Sequence, residues 1–334
     1  MPIMRPELPV LKPEGNDAEM LDGLRCSTFA YFRNEVHPRT GLIADKTQPG
    51  SPSSIAAVGM ALSVYVVAIE RALLSRAEAI DRTLTLLRFF QSSHQGPEAD
   101  ATGYKGFYYH FLDMQTGRRA SQCELSTVDT AILLAGVFTA ASYFAGNFNR
   151  NKGIDYFENT RRATYVQRQY GIENPLGFAH YSEYGWGLTA SDGPGPDVRE
   201  VNGVQRVFFD YIARGAPFGP DDGTISPWAV VASLPFAPEI VIKTIRHAIE
   251  RLKLKGRSPY GFDASFNPTY PGTSANLRGW VSPWIFGLNQ GPIVLMIENY
   301  QSELIWKTIQ RCTYIAEGLR RAGFRDGWLD NEHL

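Results

Sequence analysis

Residues 121–131, Ser-Gln-Cys-Glu-Leu-Ser-Thr-Val-Asp-Thr-Ala, place two carboxylates, Glu124 and Asp129, around a Ser-Thr pair where a long apolar run begins. Immediately upstream lies an aromatic strip, Gly106-Phe-Tyr-Tyr-His-Phe-Leu-Asp113, which includes Tyr109. Aromatic rings stack on the flat faces of sugars, and paired carboxylates handle protons at a glycosidic oxygen and at water. A helix start is the commoner meaning of such a pattern. Ser126 followed three residues later by Asp129 fits a capping box, whose side chains satisfy the orphan N–H groups of a first turn. The two readings are compatible, because a carboxylate there also sits in the positive end of the helix dipole.

Three more segments carry chemistry. His180-Tyr-Ser-Glu-Tyr-Gly-Trp-Gly-Leu-Thr-Ala-Ser-Asp-Gly-Pro194 packs Glu183, Trp186 and Asp192 into a glycine-rich loop of the sort that lines pockets; an ordinary turn at Asp192-Gly193 explains it as well. In Tyr260-Gly-Phe-Asp-Ala-Ser-Phe-Asn267, Asp263 lies among aromatic residues, where a carboxylate takes a raised pKa or a tight partner, or else caps a turn. Trp280-Val-Ser-Pro-Trp-Ile-Phe-Gly-Leu-Asn-Gln-Gly-Pro292 presents Trp284 and leads into a stretch holding Glu298 and Tyr300. Glu298 follows Ile293-Val-Leu-Met-Ile297, so it needs a polar partner or a wet cavity.

The elements that must position these groups read as helices. The chain has 334 residues, 44% hydrophobic and 12% aromatic, ample for a large core. Apolar periodicity predicts helices over 17–35, 55–69, 76–93, 131–144, 226–234, 238–253, 292–306 and 308–322, with a polar one over 160–170. Those at 55–69 and 131–144 are apolar nearly all round, and 76–93 is amphipathic. Buried and half-exposed helices in alternation suit concentric rings, an all-α, α/α toroid-like barrel with a few short hairpins in its loops. Asn202-Gly203 predicts one such hairpin over 201–212. Residues 1–16, rich in proline, read as an extended arm, and 17–330 as a single domain.

Composition excludes several functions. Lys+Arg 33 against Asp+Glu 34 leaves a net charge of -1, so no basic field argues for nucleic acid. Cys26, Cys123 and Cys312 are widely spaced, which argues against a disulfide framework and a zinc site, and the histidines show no ligand spacing. No apolar run reaches the roughly 18 residues of a membrane span. No leader of charged and then apolar residues is seen, which points to the cytoplasm, or to the periplasm or outside if the start is misassigned. No phosphate-cradling glycine loop, nucleophile elbow or His-Glu-x-x-His pair occurs. Carboxylates and aromatic rings remain, with no cofactor.

Seven ordered segments resemble the bacterial glycoamylase-like domain family, whose members include endo-β-1,2-glucanases: Ser54-Ile-Ala-Ala-Val-Gly, the aromatic strip, Cys123-Glu-Leu-Ser-Thr-Val-Asp-Thr-Ala, Tyr156-Phe-Glu-Asn-Thr-Arg-Arg-Ala-Thr, Gly187-Leu-Thr-Ala-Ser-Asp-Gly-Pro, Tyr260-Gly-Phe-Asp-Ala-Ser-Phe-Asn and Asn289-Gln-Gly-Pro-Ile-Val-Leu-Met-Ile-Glu-Asn-Tyr. The resemblance runs from about residue 20 to 329. It implies an (α/α)6 barrel and metal-free, inverting hydrolysis of a β-glucan, above all β-1,2-glucan. It places Asp129 at an acidic substrate-site position and Asp263 at the position of the base. Glu183, read from the glycine-rich loop itself, is a further catalytic candidate. Tyr109, Glu124, Trp186, Asp192, Trp284, Glu298 and Tyr300 are the expected substrate-binding residues.

One departure stands out. Family members usually carry several more helices between the 131–144 helix and Ile154-Asp-Tyr-Phe-Glu, including a segment with a glutamate that would serve as general acid. Here only residues 145–153 connect the two, and about nine helices are found where a closed double ring needs twelve. The expectation is therefore an incomplete barrel, impaired activity, and self-association through the opened side. A non-catalytic glucan-binding remnant and a transglycosylase module on the same polymer are the alternatives. Helix ends at 124–131 and 290–298 are expected to share one pocket.

Overall fold

The computed structural model describes residues 15–145, 178–215, 219–255, 259–271, 278–325 and 327–330. The helix expected over 160–170, most of the N-terminal arm, and the shortened connection at 145–153 beyond Ala145 lie outside the described residues. The chain divides into two compact units: one holds described residues 29–145 and 286–330, the other 15–28 and 178–285.

Helices dominate, as the periodicity predicts. They are α1 (Asp17–Asn34), α2 (Ile55–Glu70), α3 (Arg76–Ser92), α4 (Thr127–Ala145), α5 (Pro227–Ala232), α6 (Pro238–Glu250), α7 (Gly287–Ser302), α8 (Leu304–Ile309) and α9 (Thr313–Arg321). Among the described residues, eleven strands of two to five residues make five small antiparallel sheets. The starts follow sequence chemistry. Asn16 and Glu19 exchange the two bonds of a capping box before α1, and Ser75 Oγ accepts from Glu78 N–H at α3. Pro227 and Pro238 occupy first-turn positions, where the missing N–H costs nothing.

In the first unit, α2 is the axis. Thirteen of its 16 residues are buried, and it packs along both α4 and α7. Close approach depends on glycine: a Cβ on Gly59 would meet Ile132 O, one on Gly136 would meet Gly59 O, and one on Gly291 would meet Met60 Cγ at 2.5 Å. Pairing at the far ends shows that the three run parallel. Tyr143, near the end of α4, donates to Glu70 at the end of α2 (2.5 Å), and Arg71, the C-cap of α2, grips Glu298 late in α7.

α4 starts at Thr127 rather than 131, because Ser126 does cap it. α7 starts at Gly287 and runs through Pro292, a residue that reads as a boundary from sequence. At 19 residues, α4 is long and apolar enough to cross a membrane by length and composition alone. One face lies on α2, and the other exposes Val128 and Leu134.

In the second unit, α6 presents Val241, Thr244, Ile245, Ala248 and Ile249 to a core with Trp186 and Phe262. The hairpin centred on Asn202-Gly203 is real, both turn residues having positive φ (52° and 78°). Its strands, β7 (Asp197–Val201) and β8 (Val204–Phe208), extend evenly on either side of that turn, so it lies N-terminal to the expected 201–212.

Candidate active site

The chemistry in the first unit gathers where α2, α4 and α7 all begin. The aromatic strip builds this end. β3 (Phe107–Tyr109) pairs with β5 (Leu125–Ser126), which leads into α4, while β4 (Phe111–Leu112) pairs with β1 (Ser53–Ser54), which leads into α2. His110 lies between the two ladders. Its N–H donates to Glu124 O (3.0 Å), and its carbonyl accepts from Ile55 N–H (3.2 Å), so its backbone is clamped to both helix starts.

Its ring therefore has a fixed position, stacked on Phe111 at 3.9 Å. Nδ1 stands 2.9 Å from Glu124 Oε1 and Nε2 3.6 Å from Asp129 Oδ2. Only the doubly protonated ring can donate to both carboxylates; the neutral ring serves one. Asp129 is anchored separately. Its N–H donates to Ser126 Oγ (3.1 Å), and the Ser126 hydroxyl donates to its Oδ2 (2.5 Å). Glu124 is exposed, and its own backbone N–H, then His110, holds its carboxyl below the usual range.

Asp45 joins this cluster from a loop. Its N–H donates to Pro52 O (2.7 Å), and its carbonyl accepts from Gly287 N–H, the first residue of α7 (2.8 Å). Burial pushes its carboxyl up to about 6; the charge of Asp129 adds to this, while Lys46 and His110 oppose it. Sequence reading missed both Asp45 and His110. A lone aspartate in a polar loop carries no periodic signal, and His110 has no ligand spacing. The aromatic strip was the available clue for His110.

Tyr109 is half-buried beside this cluster, with the Arg119 guanidinium 4.4 Å over its ring. Phe107 is the strip's exposed ring. Glu298 and Tyr300 correct the expectation. Glu298 lies eleven residues into α7, about 16 Å along the helix from Gly287. It is buried at the opposite end from Asp129, where Arg71 Nε and Ser302 Oγ donate to it at 2.7 and 2.5 Å. It is a structural ion pair inside an apolar helix, and Tyr300 lies half a turn beyond it.

The second unit holds another cluster. Ser282 Oγ donates to Asp192 Oδ2 (2.7 Å), Ser265 Oγ to Asp192 O (2.7 Å), and Trp284 N–H to Ser282 Oγ (3.4 Å). Ser282 thus links Asp192 to the backbone of Trp284 beside β10 (Phe266–Asn267) and β11 (Trp280–Val281). Asp263, two residues before Ser265, is buried between Tyr260 and Phe266, with Arg278 Nη1 3.7 Å from its Oδ2. Trp186 is a correction: it is buried in the core, where its indole N–H donates to Thr244 Oγ1 (3.1 Å), and offers no open face to a sugar. Glu183 is exposed at the surface beside Tyr184, whose ring stacks on His247.

His110, Glu124 and Asp129 bring one nitrogen and two carboxylate oxygens within 4.8 Å of one another. The hydrogen bond from His110 to Glu124 and the 3.6 Å contact of its ring with Asp129 already account for that spacing, and no metal is assigned to it.

Residues 132–313 match the model of the glycoamylase family, described as "Putative glucoamylase". An exo β-1,2-glucooligosaccharide sophorohydrolase acting at the non-reducing end, from Parabacteroides distasonis, is 32% identical over 171 residues. That match covers 51% of this chain and 21% of the relative, so the chain spans about a fifth of it. Two solved structures show the fold. A β-1,2-glucanase from P. distasonis superposes with a TM-score of 0.74 at 20% identity, covering 92% of this chain and 60% of that one. An endo-β-1,2-glucanase from Chitinophaga pinensis, in complex with sophorotriose and glucose, gives 0.75 at 18% identity, covering 94% and 100%. Both are α/α toroids, the architecture expected from the helical pattern.

Proposed function

We propose that this chain, which belongs to the glycoamylase family, is a glycoside hydrolase that cleaves a β-1,2-linked glucan by acid/base chemistry at the cluster of Asp129, His110 and Glu124. The observation that carries this is the placement of a half-buried, hydrogen-bonded carboxylate beside an aromatic strip, at the point where three parallel helices begin. The sophorohydrolase and the two glucanases supply the substrate class.

The chemistry needs an acid that protonates the departing oxygen and a carboxylate that takes a proton from water. Ser126 and His110 fix the direction in which Asp129 presents its oxygens, which saves the cost of orienting it during the reaction. Phe107 and Tyr109 offer rings on which glucose units stack. The product keeps the inverted anomeric configuration that a direct attack by water gives.

The test is the release of reducing ends from linear β-1,2-glucan by the purified chain, with the product anomer read by NMR. Asp129→Asn and Asp263→Asn are measured separately. Binding of glucan without release would select the non-catalytic reading, and formation of longer chains would select transglycosylation.

A further inference from the structure

We propose that Asp45 is a catalytic residue of this site, the proton donor to the departing glycosidic oxygen. The inference rests on the hydrolase reading above and names a group that neither the sequence nor the family comparisons single out.

Three observations converge. First, the backbone of Asp45 is strapped between two helix starts. Ala44 bridges Ser53 ahead of α2, Lys46 bridges Phe286 ahead of α7, and both polar backbone atoms of Asp45 are spent on Pro52 and Gly287. A residue held this firmly presents its side chain in one direction. Second, its carboxyl group makes no hydrogen bond with the described residues, although it is only partly exposed. Third, two further polar groups at these same helix starts are unspent. Among the described residues, Ser53 Oγ is fully buried without a partner, and so are both amide atoms of Gln290, in the first turn of α7. A buried polar group without a partner among the described residues costs about 1–3 kcal/mol, so these two leave the helix starts beside Asp45 short of polar partners, which water or a neighbouring sugar hydroxyl would supply. A sugar, with a hydroxyl on nearly every carbon, has that chemistry.

The charged groups around Asp45 fit a donor. Asp129 from α4 disfavours a second negative charge, and burial does so more strongly; Lys46 on the same loop and His110 from the strip pull the other way. Two neighbouring acids with different environments are the usual arrangement for splitting acid and base roles. In the step, the Asp45 carboxyl proton passes to the glycosidic oxygen as the bond from C1 to that oxygen breaks. Water adds its oxygen to C1 and loses its proton to an ionised carboxylate, for which Asp129 is at hand. Asp45 is left as carboxylate and regains a proton from solvent.

Leaving-group dependence tests this. Wild-type and Asp45→Asn chains are compared on linear β-1,2-glucan and on the 4-nitrophenyl glycoside of the β-1,2-linked glucose disaccharide, whose leaving group departs without protonation. The expected result is a loss in kcat on the order of 10²–10⁴-fold on glucan and less than about 10-fold on the aryl glycoside, with KM little changed. In the wild type alone, kcat/KM on glucan should fall as pH rises above about 6, and on the aryl glycoside it should not. Equal losses on both substrates, or the same descending limb on both, would overturn the role of Asp45 while leaving the hydrolase reading intact. A wild-type chain inactive on both substrates would overturn both.

Discussion

Asp129 and Ser126 exchange two hydrogen bonds: the backbone N–H of Asp129 donates to Ser126 Oγ at 3.1 Å, and the Ser126 hydroxyl donates to the Asp129 carboxylate at 2.5 Å. One serine therefore both starts α4 and aims the acid. Ser126→Ala removes the cap, at a cost of about 1 kcal/mol, and also frees the carboxylate to rotate. Thermal unfolding should show a fall of a few degrees, and kcat should drop by more than the folded fraction explains. A loss confined to stability would show that His110 alone positions Asp129.

The pair at the other end of the inner helices separates structure from function. Glu298 is buried and paired with Arg71, whose side chain is partly exposed. Removing one partner of a buried ion pair is strongly destabilising, and the exposure of Arg71 reduces the effect, so Glu298→Gln should cost about 2–3 kcal/mol. The denaturant midpoint should fall with kcat and KM unchanged below the transition. A raised KM in the folded variant would return Glu298 to the substrate site.

These two residues also show what could be read from the chain. Apolar periodicity and capping signals located the helices, because they record which faces are buried. The Ser126–Asp129 signal marks the start of α4, as the two hydrogen bonds between them show. Glu298 reads as anomalous from its apolar neighbours alone, but which partner answers it depends on Arg71, 227 positions away. Trp186 was misread because a buried tryptophan and a sugar platform look alike in one dimension. Asp45 was invisible, since its importance comes only from where the starts of α2 and α7 meet.

Stability should depend on pH through Asp45 with a definite sign. Its folded pKa of about 6 lies above the ordinary 3.8, so the folded chain holds a proton that the unfolded chain has released. Stability from this group is full below about pH 4, falls as pH rises towards 6, and stays low beyond. His180 works in the opposite sense. Burial lowers it to about 4 from 6.5, so its contribution is full above 6.5 and is lost as pH falls through 4. The difference between Asp45→Asn and wild type isolates the first term. By chemical denaturation the variant should equal wild type near pH 3.5 and exceed it by about 2–3 kcal/mol at pH 7. A variant no more stable at pH 7 would show that Asp45 ionises normally.

The outer face of α4 predicts how the chain behaves in solution. Val128 and Leu134 are 68% and 41% exposed, and Tyr314, 75% exposed, stacks on Phe138 beside them. Ala131, Ala135 and Ala141 extend the same apolar surface, which carries no charged side chain between Ala131 and Ala145. Contiguous apolar surface of this kind usually marks a contact with another chain, and for a face without charge a second copy is the simplest match. Light scattering across a concentration series should show a reversible dimer. Leu134→Lys, which places a charge on the exposed face without touching the α2 contact, should return it to monomer with the same unfolding temperature. A monomer at every concentration in the parent chain would show that this face is not a contact between copies.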